Sequence, residues 1–153
     1  MAASIPKFPV TFFFAVDIKG ASDETSFSEV SGLDIEREIE EISEGGVNTH
    51  KHRLPKMTKF SNLVLKRGLA PKGGSLFSWC KKSLESNLDS SVTLHDIQVH
   101  LLDPSGGKND KLITWALTNA YPVKWSVSGF NSTESSYVIE SLEFSFQDIK
   151  VSY

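Results

Sequence analysis

The sequence has little cysteine, little excess of basic charge and no long apolar run. Cys80 is the only cysteine in 153 residues, so an intrachain disulfide cannot form. The net charge of −3 argues against a nucleic-acid-binding domain, which usually carries a basic patch. No segment approaches the roughly 20 apolar residues of a membrane span. The apolar run at residues 8–18 is interrupted by Pro9 and closed by Asp17, unlike a signal peptide. We therefore expect a soluble protein without an export signal.

Motifs for catalysis or nucleotide binding are also missing. Residues 68–75 approach a phosphate-binding loop, but Gly74 stands where that loop requires lysine. Cys80 lies on the apolar stripe of a predicted helix, which favours a buried small side chain over a reactive thiol. No nucleophile elbow and no Ser/His/Asp spacing is present. We expect neither enzyme activity nor a cofactor.

The four histidines do not make a metal site. His50 and His52 would share one face of an extended segment, whereas His95 and His100 would face opposite sides of a regular strand. No cysteine or second histidine pair completes a zinc ligand set. We expect no metal, and interpret the histidines as surface or interface residues.

The sequence does have extensive period-two alternation of apolar and polar residues, which is typical of β-strands. Residues 112–129 are predicted to form two strands that meet at a tight corner at Pro122, where the backbone lacks a donor. The other predicted strands are residues 10–18, 27–40, 60–67, 92–102 and 137–149. The prediction is a single, mainly β domain over residues 1–153, with two packed antiparallel sheets forming a small barrel or sandwich.

Three local features accompany these strands. Gly32 is predicted to mark a bulge or a close approach, and a phase slip predicts a bulge near His95 and Asp96. Glu140 interrupts the apolar face of the last strand. Residues 76–88 are predicted to form the one helix, with Ser75 as its N-cap.

Two segments look unlike the rest of the core. Asp34, Glu36, Glu38 and Glu40 would line one face of the strand at residues 27–40, so that face must be solvated or must meet a basic partner. Residues 43–59 are the least regular part and are predicted to form a protruding polar arm that ends at Pro55. Some strands are apolar on both faces, which one helix cannot cover, so another copy of the chain is a candidate for the missing cover.

Several motifs occur together in one order along nearly the whole chain. They are residues 27–33 (FSEVSGL), 44–48 (EGGVN), 54–55 (LP), 62–68 (NLVLKRG), 77–79 (FSW), 119–125 (NAYPVKW) and 140–141 (ES). Together they resemble the tail-tube proteins of contractile-tailed phages and the inner-tube proteins of related contractile injection systems, whose fold is similar to the Hcp proteins of type VI systems.

This resemblance implies a structural subunit that performs no chemistry. Six subunits would form a ring whose inner sheets join into a barrel around a lumen, and the rings would stack into a tube. The implied partners are the contractile sheath, baseplate, spike and tape-measure proteins, with cargo effectors or DNA in the lumen. The particle would be assembled in the bacterial cytoplasm and would act as a virion or an extracellular particle.

The resemblance also assigns roles to the two unusual segments. The arm would reach the next ring or subunit, and its interface residues would be Gly45, Gly46, Val47, Asn48, His50, His52 and Leu54. The acidic residues would face either the lumen or the sheath. A monomeric ligand-binding β-barrel is the alternative. The kind of machine and the position of the subunit along the tube stay open.

Overall fold

The computed structural model describes residues 14–20, 27–43, 45–46, 51–68, 74–103, 111–129, 132–133 and 138–153. These residues form nine strands and one helix, so the chain is mainly β with one α-helix, as predicted. The elements are β1 (Phe14–Ile18), β2 (Glu29–Ser31), β3 (Ile35–Ile42), β4 (His52–Phe60), β5 (Leu63–Gly68), α1 (Ser75–Glu85), β6 (His95–Leu102), β7 (Lys111–Val127), β8 (Ile139–Ser145) and β9 (Asp148–Ser152).

Strand β7 belongs to both antiparallel sheets. Its first half pairs with β6 on one side and β9 on the other, and its second half pairs with β8. The first sheet therefore has the order β1-β6-β7-β9, and the second has the order β7-β8-β5-β2. The prediction of two strands at residues 112–129 was wrong, because the chain continues as one strand through Pro122. At the position of the predicted corner, the strand has a shift of register between Pro122 and Lys124.

One cluster of buried side chains joins both sheets and the helix. Apart from Leu76 of the helix, its largest members, all less than 2% exposed, come from β1, β5, β6, β7 and β8, at alternate positions where a strand supplies two, as period-two alternation requires. The helix adds Leu76, Trp79 and Cys80, and Trp79 stacks on Phe144 with a ring-centroid distance of 5.5 Å. The prediction that Cys80 is a buried side chain is confirmed, since it is 3% exposed.

The predicted strand at residues 27–40 is divided into β2 and β3. Gly32, which lies between them, has a φ of +87°, and a Cβ built on it would lie 1.9 Å from the backbone oxygen of Asn62. The predicted close approach at this glycine is therefore confirmed, and it explains why the chain leaves the sheet there.

Two further strand predictions need correction. The predicted last strand at residues 137–149 is broken at Phe146 and Gln147 into β8 and β9. The strand predicted at residues 92–102 begins only at His95, but the bulge predicted there is confirmed by a register shift between His95 and Ile97.

The helix is also shorter than predicted. It ends at Glu85, and Leu88 lies beyond it in the left-handed region with a φ of 62°. Ser75 is the first helical residue and Gly74 occupies the N-cap position, so the prediction of a serine N-cap was wrong. Residues 10–13 of the predicted first strand lie outside the described residues.

Candidate assembly surface

Strands β3 and β4 form a two-stranded hairpin that is separate from the two sheets. They pair antiparallel with each other, from Ile35 opposite Phe60 to Ile42 opposite His52. At the base of the hairpin, Phe60 contacts Phe146 with a ring-centroid distance of 5.5 Å. The prediction that residues 43–59 are the least regular part was therefore wrong, because they contain most of β4, whereas the protruding arm stays a prediction. An isolated two-stranded hairpin is marginally stable at best in water, so this one needs further contacts.

Pro55 does not end the arm as predicted. It lies inside β4 opposite Ile39. Because the hairpin has only two strands, each strand keeps one edge without a ladder partner among the described residues. A proline is tolerated at such an edge, where no donor is needed.

The hairpin exposes apolar side chains that a water-soluble monomer would normally bury. Ile35 and Ile39 share one face and are 53% and 51% exposed. Ile42 and Leu54 are also exposed, and Met57, in the bulged part of β4, is 83% exposed. Ile42 and Leu54 lie on the other face of the hairpin from Ile35 and Ile39, so both faces expose apolar surface, which marks the hairpin as an interaction element.

The acidic residues predicted from the sequence lie on this same hairpin. Glu36, Glu38 and Glu40 alternate along β3 and share its other face, whereas Asp34 precedes the strand. Glu38 makes an ion pair with Lys59 of β4. Hydrogen bonding to Lys59 lowers the pKa of Glu38, and the same bond raises the pKa of Lys59. The acidic face thus has a basic partner within the chain and is also solvated.

A second group of charges lies nearer the tip of the hairpin. The carboxylate of Glu41 lies 3.7 Å from Nε of Arg53, the residue opposite it, and 3.9 Å from Nζ of Lys51. All three side chains are more than half exposed, and such ion pairs contribute little to stability. These ion pairs therefore add little to the stability of the hairpin.

Four of the seven predicted interface residues of the arm lie among the described residues. Gly45 and Gly46 lie in an exposed turn, and Gly46 has a φ of +95°. His52 and Leu54 are exposed residues of β4. The remaining predicted residues, Val47, Asn48 and His50, lie outside the described residues. The structure thus brings the described arm residues and the acidic residues together on one hairpin, which the sequence had divided between two elements.

A second exposed apolar surface was not predicted. It is a groove of about 110 Å³ between α1 and the second half of β7. It is lined by Phe77, Cys80, Lys81, Leu84, Glu85 and Trp125. Trp125 is 43% exposed and Leu84 is 37% exposed. The sequence signal for it was Leu84 on the apolar stripe of the helix together with a tryptophan on a strand.

Two buried polar side chains also escaped sequence analysis. Glu140 is 2% exposed and accepts hydrogen bonds from Nε1 of Trp125 at 2.7 Å and from Nε of Arg67 at 2.8 Å. His100 is 2% exposed, and its Nδ1 lies 2.8 Å from the Thr114 hydroxyl. The interpretation of His100 as a surface residue was therefore wrong. Burial is the main cause of its lowered pKa, and the nearby Lys111 lowers it further.

The described residues offer no arrangement for metal chemistry. Among them, no three His, Cys, Asp or Glu side chains are grouped so that they could hold a metal ion. The described helix is too short and too polar to cross a membrane.

A family profile decides the identity of the fold. The profile of the T4-like virus tail tube protein gp19 matches residues 10–150. The chain belongs to this tail tube family. The resemblance stated from the sequence is therefore confirmed, and the tail tube protein is a structural subunit of an inner tube. No curated protein sequence is significantly similar to it.

Solved structures agree with this family. In an extracellular contractile injection system, a chain of the PVC sheath–tube complex is 26% identical, with a TM-score of 0.76 over 94% of the tail tube protein and 90% of that chain. A chain of the six-fold symmetrised anti-feeding prophage baseplate is 23% identical, with a TM-score of 0.79 over 97% of both chains. Hcp1 from Flavobacterium johnsoniae shares the fold at 16% identity, with a TM-score of 0.53 over 92% and 94% of the chains.

Proposed function

We propose that this tail tube protein forms hexameric rings that stack into the inner tube of a contractile injection system or contractile phage tail. The subunit carries out no chemistry and encloses a lumen for cargo or DNA, while the sheath surrounds the tube. The observation that carries the proposal is the β3–β4 hairpin, which leaves the sheets and exposes Ile35 and Ile39. The six-fold symmetry and the sheath–tube assembly named for the two similar structures support it.

The hairpin is the joint between subunits in this proposal. Burying Ile35 and Ile39 against a neighbouring copy would remove apolar surface from water, which is favourable by about 25 cal/mol per Å². The same contact would stabilise a hairpin that is marginal alone. The free edges of β3 and β4 would add main-chain hydrogen bonds to the contact.

The part of the acidic set at the base of the hairpin, Asp34 and Glu36, would meet the sheath. Asp34 is exposed, and Glu36 lies opposite Lys59, which Glu38 already engages. A carboxylate face that basic sheath residues contact is attractive yet weakened by salt, so it can be released. Baseplate, spike and tape-measure proteins would contact the tube at its ends, and the particle would be assembled in the cytoplasm.

The test is electron microscopy of the purified protein together with its mass in solution. We expect rings or tubes of uniform width for the wild type and loss of stacking for the Ile35→Glu/Ile39→Glu variant. The matched control, Ile35→Val/Ile39→Val, should keep assembling, because it keeps the apolar face. Deletion of residues 46–52 should likewise leave the sheets folded but prevent stacking.

Other outcomes would contradict the proposal in distinct ways. Full-length tubes from the Ile35→Glu/Ile39→Glu variant would show that the hairpin is not the joint. A wild-type monomer at every concentration would favour the alternative of a ligand-binding β-barrel, and a search for bound small molecules would then follow.

A further inference from the structure

The groove beside α1 has room for one apolar side chain. Its volume of about 110 Å³ is well below that of the pockets of roughly 300 Å³ or more that hold small-molecule ligands. Two of its walls are aromatic rings, since Phe77 and Trp125 meet edge to face with a centroid distance of 5.7 Å. The Trp125 indole is held by its hydrogen bond to the buried Glu140, so this wall is fixed in place.

The hairpin of the same chain offers a side chain of suitable chemistry. Met57 is the most exposed apolar residue of the hairpin, at 83%, and it lies where β4 bulges away from β3. A methionine is unbranched and flexible, so it fits an irregular groove, and its sulfur makes favourable contacts with aromatic rings. The described contacts hold the hairpin to its own subunit only at the base, so Met57 is free to reach another copy.

The charges around the two surfaces are complementary. Lys81 lines the groove and Lys82 follows it on the helix, and neither makes an ion pair among the described residues. Glu40 lies on the acidic face of the hairpin without an ion-pair partner in the described part of the chain, whereas Glu36 lies opposite Lys59, and Lys59 and Lys56 both lower the pKa of Glu38. Glu85 also lines the groove, one helical turn from Lys81. Its negative charge offsets one of the two lysines, so the net charge of the helix near the groove is positive.

We propose that Met57 of one subunit inserts into the groove between α1 and Trp125 of the neighbouring subunit, with Glu40 near its Lys81 and Lys82. The inference rests on the proposed function and specifies where on the neighbouring subunit the hairpin binds. The hairpin of one subunit meets the groove of another, so the contact joins two different surfaces and is heterologous. Such a contact leaves a free hairpin and a free groove on each pair, so further subunits can be added. Such a contact suits rings and stacks rather than a two-fold dimer.

Directed disulfide formation tests this contact in assembled protein. In the Met57→Cys/Leu84→Cys variant, we expect mild oxidation to produce a ladder of covalent multimers on a non-reducing gel. Leu84 is partly exposed, so its replacement should leave the core intact. The matched control is Met57→Cys/Lys150→Cys, whose second cysteine is on the exposed face of β9, and it should give no ladder. As a second variant, Leu84→Glu should keep the circular dichroism of the wild type and lose its tubes.

The outcomes separate this inference from the function on which it rests. One contradicting result would be tubes of Met57→Cys/Leu84→Cys that give no ladder. If Ile35→Glu/Ile39→Glu still loses its tubes, the hairpin remains the joint between subunits, but the groove is not its binding site. Normal tubes from Leu84→Glu would overturn the groove contact in the same way. A wild-type protein that forms neither rings nor tubes would overturn the proposed function and this contact with it.

Discussion

Glu140 and Arg67 lie directly opposite each other on β8 and β5, with the carboxylate accepting a hydrogen bond from Nε at 2.8 Å. The Glu140 side chain is 3% exposed and that of Arg67 is 11% exposed, so the ion pair lies within the fold. The guanidinium also lies over the ring of Phe27, with its carbon 5.6 Å from the centroid. Glu140 therefore links Arg67 on β5 to Trp125, the side chain that forms one wall of the groove beside α1.

We predict that Glu140→Gln lowers the free energy of unfolding by about 3 kcal/mol, because it removes the carboxylate that pairs with the Arg67 guanidinium inside the fold. Glu143→Gln is the matched control on the same strand. Its carboxylate bonds Asn62 at an exposed position, so the loss should stay below about 1 kcal/mol. Urea unfolding followed by circular dichroism measures both. Equal losses in the two variants would show that the buried ion pair stabilises the fold no more than the exposed hydrogen bond does.

We predict that Gly32→Ala destabilises the protein by more than about 2 kcal/mol, because both its backbone angle and its contact with Asn62 exclude a Cβ. Gly45→Ala is the control, since nothing lies within 4 Å of the added methyl, and its effect should stay within about 0.5 kcal/mol. Thermal unfolding of the two variants makes the comparison. A Gly32→Ala protein as stable as Gly45→Ala would mean that the chain leaves the sheet for another reason.

His100 predicts a pH dependence of stability. Burial and the positive charge of Lys111 lower its pKa below the ordinary value of 6.5, while Asp17 acts in the opposite direction. The unfolded chain therefore binds a proton more readily than the folded one, so the free energy of unfolding falls as the pH drops below about 6.5.

The measurement is the difference in Tm between pH 7.5 and pH 5.5. We expect a smaller difference for His100→Asn than for the wild type, because asparagine can still bond the Thr114 hydroxyl and does not titrate. The comparison uses the change with pH and not the absolute Tm of the variant. An unchanged pH dependence would mean that other groups control stability in this window.

The acidic face gives a prediction about the sheath. Asp34→Lys/Glu36→Lys reverses two charges and leaves Glu40 and the Glu38–Lys59 pair in place, so tubes should form while sheath recruitment falls at low salt. Asp89→Lys, an exposed charge away from the hairpin, is the control. Co-sedimentation of purified sheath protein with tubes reads the result. Normal recruitment by the double variant would place the sheath contact elsewhere.

The strands of the core could be predicted because alternation in sequence reports burial on one face of a sheet. Residues 95–102 and 139–145 show it clearly, and both strands lie in the core. The hairpin could not be predicted in this way, because neither β3 nor β4 has a buried face within the subunit. With no buried face to indicate β4, its proline was taken for the end of the arm.

The candidate surfaces were predicted only in part, for a related reason. Their acidic and arm residues were visible in the sequence, but the pairing that joins them depends on contacts between separate strands. Glu140 shows the same limit of local pattern. Its partner Arg67 lies 73 positions earlier, so no window of sequence around either residue contains the other. The charge at Glu140 therefore looked like a break in an apolar face.

Strand β7 has a mechanical consequence. Its 17 residues run through both sheets, a path of roughly 55 Å at the usual rise per residue. Two sheets that touch only through side chains can slide past each other when they are compressed. Here one continuous polypeptide is shared by both, so sliding would have to break a ladder of main-chain hydrogen bonds along β7. A thrust applied at one end of the subunit is therefore transmitted through covalent bonds to the other sheet.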